Sequence, residues 1–391
     1  MKLLDACELI VDCPHSTAKD EGSGYPLIRT PNVGRGRLKF DGVHRVSYET
    51  YCARNERAVP QTDDLILARE APVGNVAIIK NGQQVCLGQR TVLIRPNKKI
   101  VESNFLVYYL LSPQMQHALL STANGATVSH LNMADIRKLE INLPDLEVQK
   151  KIGNLLSIIE DKIENNNEIN DNLLQQAQAL FESWFIDYEP FGGIIPEDWN
   201  DISIYDLADY INGAAFKKNE YADTGLPIIK IAELKNGITD STQYCCVKKD
   251  SKYYIDDRDI LFSWSGNPDT SIDTFIWSKG LAILNQHTFR VVSKYDAPAF
   301  TFFLLKYLKP VFTHIASNKQ TTGLGHVTVT DLKRLQFRTN ANVITEFNSL
   351  VMPIFELIYS NYKEIQQLLA LRDTLLPKLM SGDIDVSSLD I

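Results

Sequence analysis

Apolar residues recur through residues 147–185 at Ile152, Leu156, Ile159 and Ile163, and again at Leu173, Ala177, Leu180 and Trp184. This 4-3-4-3 spacing predicts a long helix with a narrow apolar seam facing another long helix. Asn166 and Asn170 sit on the seam between the two runs. Ile or Leu there would add stability, whereas a buried Asn fixes register and partner number. The spacing returns at Phe347, Val351, Ile354, Ile358, Asn361, Ile365, Leu368, Leu375 and Leu379. Each helix is expected to run about 40 residues, or roughly 60 Å, which is a spacer rather than a core helix. The two are expected to pair within the chain.

Between them the pattern changes to short runs. Residues 64–68, 76–79 and 91–95 read as strands, as do 259–263, 275–277 and 288–292. Residues 102–120 and 298–312 read as helices. Asn81-Gly82 has the composition of a hairpin turn, and 190–196, with Gly192-Gly193, that of a linker. Pro353 predicts a kink or late start in the second long helix, and Leu376-Pro377 an irregularity near its end. Ser381-Gly382-Asp383 is expected to stop it.

The runs are duplicated at a spacing of about 196 residues. Pro26-Leu27-Ile28-Arg29 answers to Pro227-Ile228-Ile229-Lys230, and Asp64-Leu65-Ile66-Leu67 to Asp259-Ile260-Leu261-Phe262. Leu87-Gly88-Gln89-Arg90-Thr91 answers to Leu284-Asn285-Gln286-His287-Thr288, and the stretch opening at His130 to that opening at His326. The order is globule, helix, globule, helix. The fold class is therefore mixed α/β (α+β): two similar globular domains, 1–146 and 190–341, with long helices at 147–189 and 342–382 and a tail at 383–391. If the helices pair antiparallel as a two-stranded coiled coil, the globules lie at opposite ends, related by a pseudo-two-fold axis. Such a molecule would hold two similar surfaces apart, and DNA has a matching repeat.

Composition changes this picture little. The net charge of −8 speaks against a simple electrostatic nucleic-acid binder. The acid surplus, however, falls on the helices: 146–190 carries 3 basic against 9 acidic residues, whereas 1–145 carries 17 against 15. A local basic face on each globule is thus permitted. Apolar runs such as 300–305 are too short to cross a bilayer, and the N-terminus lacks a signal-peptide core, so a cytoplasmic location is expected. Six scattered cysteines with no C-x-x-C pair indicate free thiols. No phosphate-binding G-x-x-x-x-G-K-[ST] loop occurs, and Asn267-Pro268-Asp269 lacks the second Pro and the aromatic of a methyltransferase motif. Asp223 with Glu233-Leu234-Lys235 leaves a nuclease-like trace that could hold a metal. Its counterpart, Asn32-Val33-Gly34, has no carboxylate. A duplicated fold without a catalytic set in either copy reads as a binder; a coiled-coil protein–protein scaffold with two peptide-binding globules is the alternative.

Several motifs add a resemblance. Ile195-Pro196-Glu197-Asp198-Trp199 precedes the second globule, Ala179-Leu180-Phe181-Glu182-Ser183-Trp184-Phe185 ends the first helix, and Leu375-Leu376-Pro377-Lys378-Leu379-Met380-Ser381-Gly382-Asp383-Ile384 ends the second. In this order, over essentially the full length, the chain resembles the DNA-specificity subunit of type I restriction–modification enzymes. The resemblance implies a non-catalytic subunit whose globules are target recognition domains, each reading one half of a split double-stranded DNA site. It implies that the helices set the unread spacer, that two methyltransferase subunits dock, and that restriction/translocase subunits join. S-adenosylmethionine, ATP and Mg²⁺ would belong to those partners.

The repeat supplies a filter for contact residues. Positions alike in both halves should be scaffold or common backbone contacts; polar positions that differ are candidates for base readout. Arg69/Trp264, Arg90/His287 and Asn124/Gln320 differ. Arg suits guanine, and Asn or Gln adenine. Arg35, Arg37, Lys39, Lys319, His130 and His326 are candidates for the DNA backbone. For each, an ordinary surface or packed residue is the competing reading.

Overall fold

A computed structural model describes residues 1–121, 130–320 and 323–389. The chain divides into two units: Met1–Ile163 with Leu368–Ile391, and Glu164–Gln367. Each takes part of both long helices.

In unit one the strands are β1 (Cys7–Asp12), β2 (Tyr25–Ile28), β3 (Gly36–Arg37), β4 (His44–Val46), β5 (Leu65–Ala68), β6 (Val76–Ile78), β7 (Cys86–Leu87) and β8 (Thr91–Pro96). They form two sheets, in the orders β1-β8-β5-β6-β3 and β4-β2-β7. Strand alternation puts Leu65 and Leu67 of β5 on one face, with Phe105, Leu106 and Tyr109 of the helix Ser103–Leu111. It puts Ile66 and Ala68 on the other, against Ile28, Val85 and Leu87 of the second sheet region. Both faces are covered, which is why this run is apolar throughout rather than alternating. The Asn81-Gly82 turn forms, with Gly82 at φ +82°, but it is no hairpin. The flanks of β6 are already taken by β5 and β3, so the chain crosses to β7 in the other sheet. The expected helix at 102–120 is divided at Ser112, because Pro113 opens a new one, Pro113–Ser121.

Unit two repeats the plan. Its main sheet joins Ala208–Asn212, Thr288–Ser293, Ile260–Ser263 and Asp273–Ile276 in that order. Leu226–Ile229 pairs in parallel with Ala282–Leu284 as β2 does with β7. The repeat extends to single hydrogen bonds. Asp63 and Arg258, both at positive φ (73° and 74°), open equivalent turns. The N–H of Asp63 donates to the Ile79 carbonyl at 2.9 Å, and that of Arg258 to the Trp277 carbonyl at 2.8 Å.

The first long helix runs Leu146–Phe185 and the second Ala341–Ser381. Asn340 caps the second, its Oδ1 accepting from the Val343 N–H at 2.8 Å, so the helix starts well before Pro353. It continues through Pro353 and Pro377, where the buried neighbours Val351, Phe355, Leu376 and Leu379 offset the lost hydrogen bonds. It stops at Gly382, at φ +81°. By length and composition this helix could cross a membrane, but its apolar residues 347, 351, 355 and 358 are core residues of unit two.

Within unit two the helices pair antiparallel. Asn166 Nδ2 donates to Glu364 Oε2 at 2.7 Å, and Asn361 Nδ2 to Asn170 Oδ1 at 2.8 Å. The partner number falls as the first helix's number rises. Within unit one, Arg372 Nη1 donates to Glu160 Oε1 at 2.7 Å. Of the seam positions, Ile152, Ile159, Ile163, Val351, Ile358 and Ile365 are buried. Leu173, Leu180 and Ile354, all on the second-unit side, and Leu375 are only half-buried. Phe181, Phe355 and Leu376, one position on, take the inner places of Leu180, Ile354 and Leu375. A straight helix drifts about 20° per heptad from a strict 3.5 repeat, which moves the inner face one residue along.

The buried Asn pair makes a direct test. Asn170→Leu alone leaves Asn361 Nδ2 without its acceptor and is expected to cost about 1–3 kcal/mol. Asn170→Leu with Asn361→Leu should recover that loss. Urea unfolding followed by tryptophan fluorescence checks both, and a double variant no better than the single would show that the pair does not act as a unit.

Candidate nucleic-acid interface

The sequence candidates separate into those held by the fold and those left at the surface. Arg69 is held. Its Nη1 reaches both carboxylate oxygens of Asp12 at 2.9 Å, and its Nε donates to the Leu131 carbonyl at 2.7 Å. It joins the end of β5 to the end of β1, and a guanidinium so occupied is a fastener rather than a base reader. Arg37 is likewise held. Its side chain is 12% exposed, with Nη2 at 2.9 Å from both Ser157 Oγ and Asp161 Oδ1 on the first long helix. Burial raises the Asp161 carboxyl, but Lys80 and Arg37 more than offset it and hold the group below the usual carboxylate range. Arg37 therefore anchors the sheet to the helix and is not placed to meet a phosphate.

Arg35 Nη2 donates to the Leu111 carbonyl at 3.2 Å, closing a helix C-terminus. Lys319 Nζ lies 2.6 and 2.5 Å from the two oxygens of Asp331. Asp331 itself caps the helix Val329–Arg334 with Thr328. Burial pushes the Asp331 carboxyl up, but Lys319 and Thr328 prevail and lower it. Lys319 is thus a scaffold cation. Trp264 donates its Nε1–H to Asn212 Oδ1 at 3.2 Å and packs its ring on Phe289, with centroids 5.6 Å apart. It too is part of the scaffold, half-buried at the edge of the core.

At the surface remain Arg90, His287, Gln320, Lys39 and, despite its bond to the Leu111 carbonyl, Arg35. Arg90 has φ 65°, a side chain 62% exposed and an ion pair with Glu70 at 2.8 Å. His287, its counterpart, lies 5.7 Å from the Trp264 ring centroid and 3.3 Å from Gln286 Nε2. His130 and His326 are half-buried, and His326 pairs with Ser265 in a short ladder. Asn124 lies outside the described residues.

In unit one Arg90 lines a cleft of about 250 Å³ with Thr17, Ala18, Leu27, Arg29, Thr30, Pro31 and Gln89. The cleft opens past the ends of β2 and β7. Its Arg29 is absent from the sequence candidates, although the repeat aligns it with Lys230. Matching charge at a matched position was the available signal.

The nuclease-like trace dissolves. Glu233 accepts from the Lys230 N–H at 3.0 Å and from Thr242 Oγ1 at 3.3 Å, so it is a buried capping residue of the helix Ile231–Asn236. Among the described residues no group of three or more His, Cys, Asp or Glu could hold a metal ion. All six cysteines are free thiols.

Comparison with known proteins gives a consistent result. The family model for the type I restriction modification DNA specificity domain matches residues 2–175 and 196–339. The MjaIX type I restriction enzyme specificity subunit of Methanocaldococcus jannaschii is 27% identical over 343 residues, covering 83% of this chain and 78% of that protein. The HindI specificity subunit of Haemophilus influenzae is 24% identical over 371 residues, covering 75% and 80%. Among solved structures, the type I restriction–modification S subunit from M. genitalium has a TM-score of 0.55 at 15% identity, over 97% of this chain and 95% of that one. At that identity it speaks for the fold alone.

Proposed function

The chain belongs to the type I restriction–modification DNA specificity family, as a non-catalytic specificity subunit, and from that premise we propose that its two units each read one half of a bipartite DNA target. The long helices set the unread spacer and dock two methyltransferase subunits, and restriction/translocase subunits complete the complex. S-adenosylmethionine, ATP and Mg²⁺ are held by those partners, and the assembly works in the cytoplasm.

One observation carries the reading. The two units share a scaffold down to equivalent turns and strand pairs, yet differ in what they expose at one matched position, Arg90 against His287. An Arg there can present a fork to guanine O6 and N7, and an imidazole cannot reproduce it. A shared frame with different exposed donors is what reading two different half-sites requires.

The test is a swap. Residues 1–145 are replaced by the equivalent globule of another family member, and the chain is co-expressed with its methyltransferase partner. Sequencing of methylated adenines should then show one half-site changed and the other kept. A change in both halves, or in neither, would overturn the assignment.

A further inference from the structure

Both units finish their parallel strand pair in the same way. Leu27 and Ile28 of β2 lie opposite Cys86 and Leu87, and Ile228 and Ile229 lie opposite Ile283 and Leu284. The first residue past the strand is Arg29 in one unit and Lys230 in the other. Each is fixed by the same turn. The Arg29 N–H donates to Asn32 Oδ1 at 3.2 Å, and the Lys230 N–H to Glu233 Oε2 at 3.0 Å. Across the pair, the Gly88 N–H donates to the Ile28 carbonyl at 2.8 Å and the Asn285 N–H to the Ile229 carbonyl at 3.0 Å. Gln89 and Gln286 follow directly. The duplication therefore sets a cation and a glutamine at the same carboxyl edge twice.

The unit-one cation has one donor without a partner among the described residues. Arg29 lines the 250 Å³ cleft beside Arg90 and Gln89. Its Nε is sheltered from solvent with no hydrogen-bond acceptor among the described residues. Asp20 lies within electrostatic reach, its Oδ1 accepting from the Gly22 and Arg45 backbone N–H groups at 3.1 and 2.9 Å. A sheltered guanidinium N–H without an acceptor is unfavourable until one arrives. Lys230 has a neutral partner, Gln243 Oε1 at 2.5 Å, and lies 5.4 Å from the Tyr221 ring centroid, so its charge is not cancelled.

We propose that Arg29 and Lys230 are equivalent phosphate contacts, each fixing the DNA backbone against its own unit. The inference rests on the DNA-reading function above and adds to it which residues hold the strand independently of sequence. Phosphate is favoured over a base edge because the two units differ at the neighbouring Arg90/His287 yet both keep a cation here. Arg and Lys both satisfy a phosphate, whereas only Arg forms the bidentate fork to guanine. Phosphate contacts position and base contacts specify.

The experiment uses the full chain co-purified with its methyltransferase partner. Arg29→Ala, Lys230→Ala and the double variant are titrated with salt on duplexes with and without the target. Each single variant should weaken binding to both duplexes by the same factor and lower the log–log salt slope by about 1, the double by about 2. The methylated sequence in cells should not change, and Arg29→Lys and Lys230→Arg should keep the slope. If Arg29→Ala does not fold, Arg29→Gln, which keeps the stem, carries the same test. An unchanged slope, or relaxed methylation confined to one half-site, would overturn the proposal. Failure of the broader reading looks different: the unaltered complex would then show no preference for target over non-target DNA.

Discussion

Phe181→Ala is expected to destabilise the second unit by about 4 kcal/mol, whereas Leu180→Ala, its neighbour on the ideal heptad seam, should cost no more than about 1.5 kcal/mol. Phe181 is fully buried. Its ring meets Phe185 at 4.8 Å, Tyr307 at 5.0 Å, and Phe337 and Phe347 at 5.7 Å between centroids. Those partners come from both long helices, a core helix and an edge strand, so truncation leaves a cavity that no single element can move to fill. Leu180 is half-buried at the margin of the same cluster and loses little area. All four tryptophans, at 184, 199, 264 and 277, lie in unit two, so fluorescence-monitored urea unfolding reads this unit selectively. Equal midpoint shifts for the two variants would mean that the coiled-coil register, and not the straight helix, governs burial there.

That contrast shows where the sequence was legible. The long helices, their asparagines and the duplicated strands follow from periodicity, because one-sided burial writes itself into spacing. The position of the inner face beyond Ala177 does not, since there the helix packs on a globular core as well as on its partner helix, and burial no longer follows a strict 3.5 repeat. The interface was harder. Residue type nominated Arg69, Arg37 and Lys319 as DNA contacts, but Asp12, Asp161 and Asp331 claim them. Those carboxylates lie 57, 124 and 12 residues away along the chain, and no local pattern reveals such pairings. Arg29 is hidden for the opposite reason: the repeat pairs it with Lys230, but its missing acceptor is visible only in three dimensions.

The two long helices of unit one share a buried ion pair, and breaking it from one side should be far worse than removing it whole. Glu160 has a side chain only 8% exposed, and Arg372 one 16% exposed. Burial works against the Arg372 guanidinium, but the hydrogen bond to Glu160 outweighs it and holds the group more firmly protonated. Arg372→Met strands a buried carboxylate and is expected to cost about 3–5 kcal/mol. Glu160→Met should cost less, because Arg372 keeps Asp373 at 2.7 Å. The double variant Glu160→Met/Arg372→Met replaces both charges with apolar bulk and should return to within about 1 kcal/mol of the parent. Unit one has no tryptophan, so amide hydrogen exchange across residues 1–163 is the suitable readout. A 3 kcal/mol loss would speed the slowest amides by roughly a hundredfold. If the double variant were as unstable as Arg372→Met, the pair would be contributing attraction well beyond its desolvation cost. The seam of unit one would then owe its stability to charge rather than to Ile152, Leu156 and Leu379, which are buried beside it.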